Sequence, residues 1–156
     1  MRFLFSLGLS IFVLFSAAQA DSPRIIGSLG HQFNTDVPEA YLRYMGQPFY
    51  HSLQPVVGAS VASNGSGYVG VGAAFTWHPR SGPYLLRVSS MAGVYRQGSG
   101  ADLGGPIQFR TAFEVGHRQR SGTEFGIGFD HRSNAGIYKS NPGLDTAYLF
   151  FSMPLR

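Results

Sequence analysis

The segment Phe129 to Gly136 reads Phe-Asp-His-Arg-Ser-Asn-Ala-Gly, with an imidazole at position 131 and a hydroxyl at position 133. In an extended strand, residues at i and i+2 project from the same face, so His131 and Ser133 become neighbours without help from distant sequence. A hydroxyl becomes a useful nucleophile when a base takes its proton, and a third group commonly fixes that base's orientation. Asp145, opening the next strand-like run, is the nearest C-terminal carboxylate that could serve. The chemistry of such a set is nucleophilic catalysis. Each residue also has a plainer reading: His131 as an interfacial histidine, Ser133 and Asn134 as turn formers, Asp145 as the carboxylate that follows the turn Pro142-Gly143.

What these residues can do depends on the elements that carry them. Met1 to Ala20 has one positive charge at Arg2, an apolar run from Phe3 to Phe15, and Ala18-Gln19-Ala20 as a small-x-small cleavage site. This three-part pattern predicts a secretory signal peptide, and the run is shorter than the roughly 20 residues of a spanning helix. The expected division is a signal peptide over residues 1–20 and one domain over residues 21–156. Without Arg2, eleven basic residues face eight acidic ones, so the exported part is only mildly basic. That is not the footprint of a nucleic-acid binder. The chain has no cysteine, which removes disulfide frameworks and thiolate metal sites. His31, His51, His78 and His117 lack the mutual spacing of metal ligands, so neither a metal nor another cofactor is expected.

Charged residues are scarce, whereas the sequence holds 21 glycines, 13 phenylalanines and 8 tyrosines. No apolar stretch after Ala20 approaches spanning-helix length. The combination points to strands alternating between lipid and a lumen, and period-two patterning predicts eight of them. They run over Arg24 to Phe33, Glu39 to Met45, Leu53 to Ala62, Gly67 to Trp77, Tyr84 to Tyr95, Ile107 to His117, Glu124 onward, and Asp145 to about Leu155. The predicted fold is therefore all-β, an eight-stranded antiparallel transmembrane β-barrel. Helices fare badly here, because each interior glycine costs about 1 kcal/mol relative to alanine. On the inner face of a small barrel, glycine instead makes room in a crowded lumen, and Tyr148 and Phe150, which fall on the inner face of the eighth strand, can be accepted by a side-chain-filled interior. Arg110 and Glu114 share the polar face of strand six and are expected to pair in the lumen, and Trp77, Tyr84 and Tyr95 suit an aromatic girdle.

The apolar residues of strands six, seven and eight occupy odd positions, so odd positions face lipid. His131, Ser133 and Asp145 are all odd, which turns the three candidates outward. With both termini on the periplasmic side, His131 and Asp145 sit at outer-leaflet level, flanking the loop Arg132 to Leu144. A polar set on that face is costly for a purely structural barrel, and it makes sense if the substrate is itself a lipid.

The run His131-x-Ser133-Asn134-Ala135-Gly136, followed by a carboxylate on the final strand, resembles the motif of the PagL-type outer-membrane lipid A 3-O-deacylases. The likeness covers roughly Gly105 to Leu155, with the earlier chain similar in pattern. It implies a serine esterase of the outer membrane that hydrolyses the ester-linked 3-hydroxyacyl chain at position 3 of lipid A in lipopolysaccharide, without metal. It further implies Ser133 as nucleophile, His131 as general base and then acid, and Asp145 as the orienting acid, where the family typically has Glu. Asn134 and backbone N–H groups near Gly136 would stabilise the oxyanion, and Arg132 would meet a lipid A phosphate. Monomer and homodimer are both open. Two other classes fit the strand pattern: a non-catalytic outer-membrane barrel with a structural or adhesive role, and a soluble lipocalin-like carrier, which would need an apolar lumen and a polar exterior.

Overall fold

The structure, a computed structural model, describes residues 22–155; the expected signal peptide lies outside the described residues. Eight strands follow one another: β1 (Arg24–Gln32), β2 (Val37–Met45), β3 (Leu53–Ala62), β4 (Gly67–Trp77), β5 (Tyr84–Arg96), β6 (Ile107–Arg118), β7 (Glu124–Ser133) and β8 (Leu144–Pro154). Each pairs antiparallel with the next, and β1 pairs with β8, so the sheet closes into a barrel with no free edge. The predicted strands are all present, β3 and β4 with the predicted ends and no end displaced by more than two residues.

The alternation has a clear physical sense. Leu29, Val61, Val71, Ile127 and Leu149 are each at least 60% exposed, whereas Arg24, Arg43, Arg87, Arg110, Arg132, Glu39, Glu114, Glu124 and Asp130 are buried. An exterior of this kind is wrong for water, where a large apolar side chain forgoes about 1.5–3 kcal/mol of burial, and right for a hydrocarbon solvent. Closure satisfies the backbone groups that lipid cannot. The same inversion overturns the carrier alternative, since the lumen holds charges where a carrier holds an apolar ligand.

The lumen is filled by two ionic clusters. Near one end Glu124 meets Arg24, Arg87 and Arg118, and Arg87 continues to Glu114 at 2.9 Å, which also binds Arg43 at 2.6 Å. Nearer the other end Glu39 meets Arg110 at 2.7 Å and Arg132 at 3.0 Å, while Arg110 reaches Asp130 at 2.5 Å. The Tyr41 ring lies between the clusters, with the Arg110 guanidinium 3.8 Å and that of Arg43 4.9 Å from its centroid. The expected Arg110–Glu114 pair is not formed. Four residues of strand separate them by about 13 Å, so each pairs across the lumen instead. Tyr148 and Phe150 do point inward, and a side chain at Gly128 or Gly126 would overlap their rings. Tyr95 also points inward and donates its hydroxyl to the Ala101 carbonyl, so of the three girdle aromatics only Trp77 and Tyr84 lie on the outer wall.

Candidate active site

The two longest connections, residues 97–106 and 134–143, leave the same rim of the barrel. At that rim β7 lies between β6 and β8, in a register that sets Thr111, His131 and Asp145 side by side. All three are at odd positions and face outward. Because His131 and Asp145 are direct cross-strand partners, their side chains meet with no loop involved: His131 Nδ1 and Asp145 Oδ1 are 2.7 Å apart. Aspartate at this position thus reaches the imidazole despite its shorter side chain. An ionised carboxylate can only accept, so Nδ1 is the donor in this contact, and in the neutral ring Nε2 then has the lone pair that a general base requires. Both side chains remain about half exposed on the outer wall, 51% and 41%.

The backbone of Asp145 is fixed from the far end of the chain. Its N–H donates to Asn34 Oδ1 at 3.0 Å, and its carbonyl accepts from the Phe33 N–H at 3.0 Å. Asn34 belongs to the β1–β2 turn, 111 residues away in sequence, and no local pattern marks it. Ser133 ends β7, two positions beyond His131 and on the same face, opposite Phe109 on β6. Its hydroxyl makes no hydrogen bond among the described residues. The structure therefore joins the imidazole to the carboxylate and brings the hydroxyl to the same face without closing the third contact, which in ligand-free enzymes commonly tightens only with substrate.

Directly after Ser133 the chain makes a tight turn in which the Ile137 N–H donates to the Asn134 carbonyl at 3.0 Å, with φ of 52° at Ala135 and 81° at Gly136. Alanine in that left-handed region costs about 1–2 kcal/mol. Asn134 holds the turn in place. Its side-chain amide donates to the carbonyls of Leu103 at 2.8 Å and Ser140 at 2.6 Å, and its Oδ1 accepts from the Gly136 N–H at 2.9 Å. The donors expected at an oxyanion, the Asn134 amide and the Gly136 N–H, are thus engaged within the loops in this state. Asn134 braces the 97–106 loop against the 134–143 loop. Arg132 requires a correction. It occupies an even position of β7, is fully buried, and places its guanidinium on Glu39 and 5.2 Å from the Tyr68 ring centroid. It faces the lumen and cannot reach a phosphate outside.

Next to the dyad on the outer wall runs an apolar groove of about 600 Å³, lined by Leu29, Phe113, Ile127, Phe129, Ala147 and Leu149, with His31 at its edge. Phe129 and Ala147 are the outward neighbours of His131 and Asp145 along their own strands, so the groove begins where the polar pair ends. Its volume suits a lipid-sized ligand. A groove of similar size over Gly27, Ala40 and Ala59 does not border the pair. Among the described residues no group of three or more His, Cys, Asp or Glu side chains converges as a metal ion would need. A carboxylate-bound imidazole, a hydroxyl on the same face and an adjoining apolar groove together suit nucleophilic attack on a lipid-borne ester.

A family described as lipid A 3-O-deacylase (PagL) matches residues 27–154. Among solved structures, the outer membrane enzyme PagL superposes with a TM-score of 0.69 at 16% identity, covering 85% of this chain and 99% of that one. A de novo designed transmembrane β-barrel gives 0.63 at 8% identity over 90% of this chain and all of its own. Neisserial surface protein A gives 0.52 at 11% over 83% of this chain and 92% of its own. At such identities the structural likenesses establish the fold. No curated protein matches the chain in sequence.

Proposed function

This chain belongs to the lipid A 3-O-deacylase (PagL) family, and from that premise we propose that it is a serine esterase of the outer membrane, exported by its N-terminal signal peptide, that removes the 3-hydroxyacyl chain ester-linked at position 3 of lipid A. Ser133 Oγ attacks the ester carbonyl while His131 Nε2 takes its proton, and Asp145 stabilises the imidazolium that results. Collapse of the tetrahedral intermediate expels the sugar oxygen, which receives the proton from His131. Water, deprotonated by the same imidazole, then releases the hydroxy fatty acid from Ser133. The observation that carries this reading is the His131–Asp145 pair, 2.7 Å apart on the outer wall, next to the apolar groove that begins at Phe129 and Ala147. A polar pair there, with a carboxylate in it, is a cost to the barrel, and it is intelligible where the bond to be cut is presented by lipid.

The deciding experiment is mass spectrometry of lipid A from cells with and without the expressed chain, paired with purified lipopolysaccharide and detergent-solubilised barrel. Lipid A lacking one 3-hydroxyacyl group is the expected product. Unaltered lipid A with correctly folded barrel in both settings would refute the proposal. Within it, Asp145→Ala is expected to slow release by a factor roughly a hundredfold smaller than loss of the nucleophile does, as an orienting acid should. Initial rates on the purified substrate measure this, and a loss as deep as that of Ser133→Ala would contradict a merely orienting role.

A further inference from the structure

Gly143 is the residue before β8, and its plain reading is a turn glycine after Pro142, with φ of 76°. Two further observations set it apart. Arg132 pairs with Leu144 in the β7–β8 ladder, so the same register carried one step further sets Gly143 opposite Ser133, on the outward side that His131 and Asp145 share. A Cβ built on Gly143 would lie 2.7 Å from His131 Cε1 and 3.4 Å from Nε2. The edge of the imidazole that must receive the serine proton therefore rests against a backbone with no side chain. Gly143 is buried, and the following Leu144 is anchored among Tyr68, Tyr95 and Leu103, so the backbone has little room to retreat. The half-exposed ring would have to shift, which turns Nε2 away from its place beside Ser133 and alters the geometry of the bond from Nδ1 to Asp145.

The geometry points to Gly143 as a positioning residue: the absence of a side chain at 143 keeps open the space in which the His131 ring and the Ser133 hydroxyl meet. This deepens the esterase reading proposed above and rests on it for its kinetic part only. The competing account is that glycine serves the left-handed backbone alone. Gly65 separates the two, because it has the same φ of 76° and an added Cβ there meets nothing within 4 Å.

The test compares Gly143→Ala, Gly143→Asn and Gly65→Ala with the wild-type barrel. Asparagine is included because it tolerates positive φ better than alanine while still carrying a Cβ. Folding is followed by heat-modifiable mobility. On purified lipopolysaccharide, both Gly143 variants should lose about a hundredfold in kcat, the scale of an ångström-size misplacement, with KM nearly unchanged. Gly65→Ala should match wild type. The nuclear magnetic resonance signal of the His131 Nδ1 proton, assigned by its absence in His131→Ala, should be lost or shifted in the Gly143 variants only. A folded Gly143→Asn barrel with wild-type kcat and an unmoved Nδ1 proton overturns the inference, as does an equal loss in Gly65→Ala. Should neither Gly143 variant fold, cross-relaxation between the Gly143 α-protons and His131 Hε1 in wild type decides, and its absence overturns the inference. A wild-type barrel that releases no fatty acid sinks the esterase reading, while the resonance arm still decides whether Gly143 places the ring.

Discussion

Replacing Ser133 by alanine, or His131 by alanine, is expected to lower the release of 3-hydroxy fatty acid from purified lipopolysaccharide by on the order of 10⁴- to 10⁶-fold. Members of such a set act as a unit, so the double variant should be scarcely worse than either single one. The barrel itself should be indifferent. Both side chains face outward, Ser133 gives up no hydrogen bond, and His131 gives up only its bond to Asp145. Heat-modifiable mobility and unfolding midpoint therefore serve as internal controls, and a covalent fluorophosphonate probe should label wild type and not Ser133→Ala. Undiminished release by either folded single variant would remove this mechanism.

Glu39→Ala is expected to destabilise the barrel by about 3–5 kcal/mol, the cost of leaving a buried charge without its partner. Glu39 accepts from Gln32 at 2.6 Å, from Arg110 at 2.7 Å and from Arg132 at 3.0 Å. Arg110 would keep Asp130, but Glu39 is the only acid that Arg132 is bonded to among the described residues. Arg132 would then be a cation sealed in the lumen with no carboxylate bonded to it and only Asp130, already held by Arg110, nearby. Glu39→Gln, which can still bond to Gln32 and the guanidinium groups, should fall between the two. Equilibrium urea unfolding in lipid vesicles measures the differences, with Val61→Ala on the outer wall as the mild reference. A Glu39→Ala barrel as stable as wild type would mean that the cluster contributes nothing net to the fold.

The two predictions draw on parts of the molecule that were unequally legible in the sequence. The strands and their faces could be read because a lipid-facing wall imposes a strict period of two, and every odd residue from Phe125 to Ser133 obeys it. The meeting of His131 with Asp145 could be read nearly as well, since neighbouring strands of a hairpin need only the right register. Parity also places Arg132 and Tyr95 inside, so their expected exterior contacts fail by the rule that succeeds for their neighbours. What the chain order hides is pairing across the lumen and between loops. Glu39 and Arg132 stand 93 residues apart, Asn34 and Asp145 stand 111 apart, and neither pair has a local signature. Asn134 was legible as part of a motif, yet its bonds to Leu103 and Ser140 depend on how two loops pack. Gly143 is visible only as a turn residue until the imidazole beside it is placed.

The plugged lumen has a consequence for traffic. With arginines and glutamates filling the interior and the reactive pair on the wall, no route leads to Ser133 through the pore of the barrel. On the proposed reading, substrate arrives sideways, by diffusion within the leaflet. The encounter is then two-dimensional, and turnover is governed by the mole fraction of susceptible lipid around the barrel and by the fluidity of that leaflet, not by any concentration in the surrounding water.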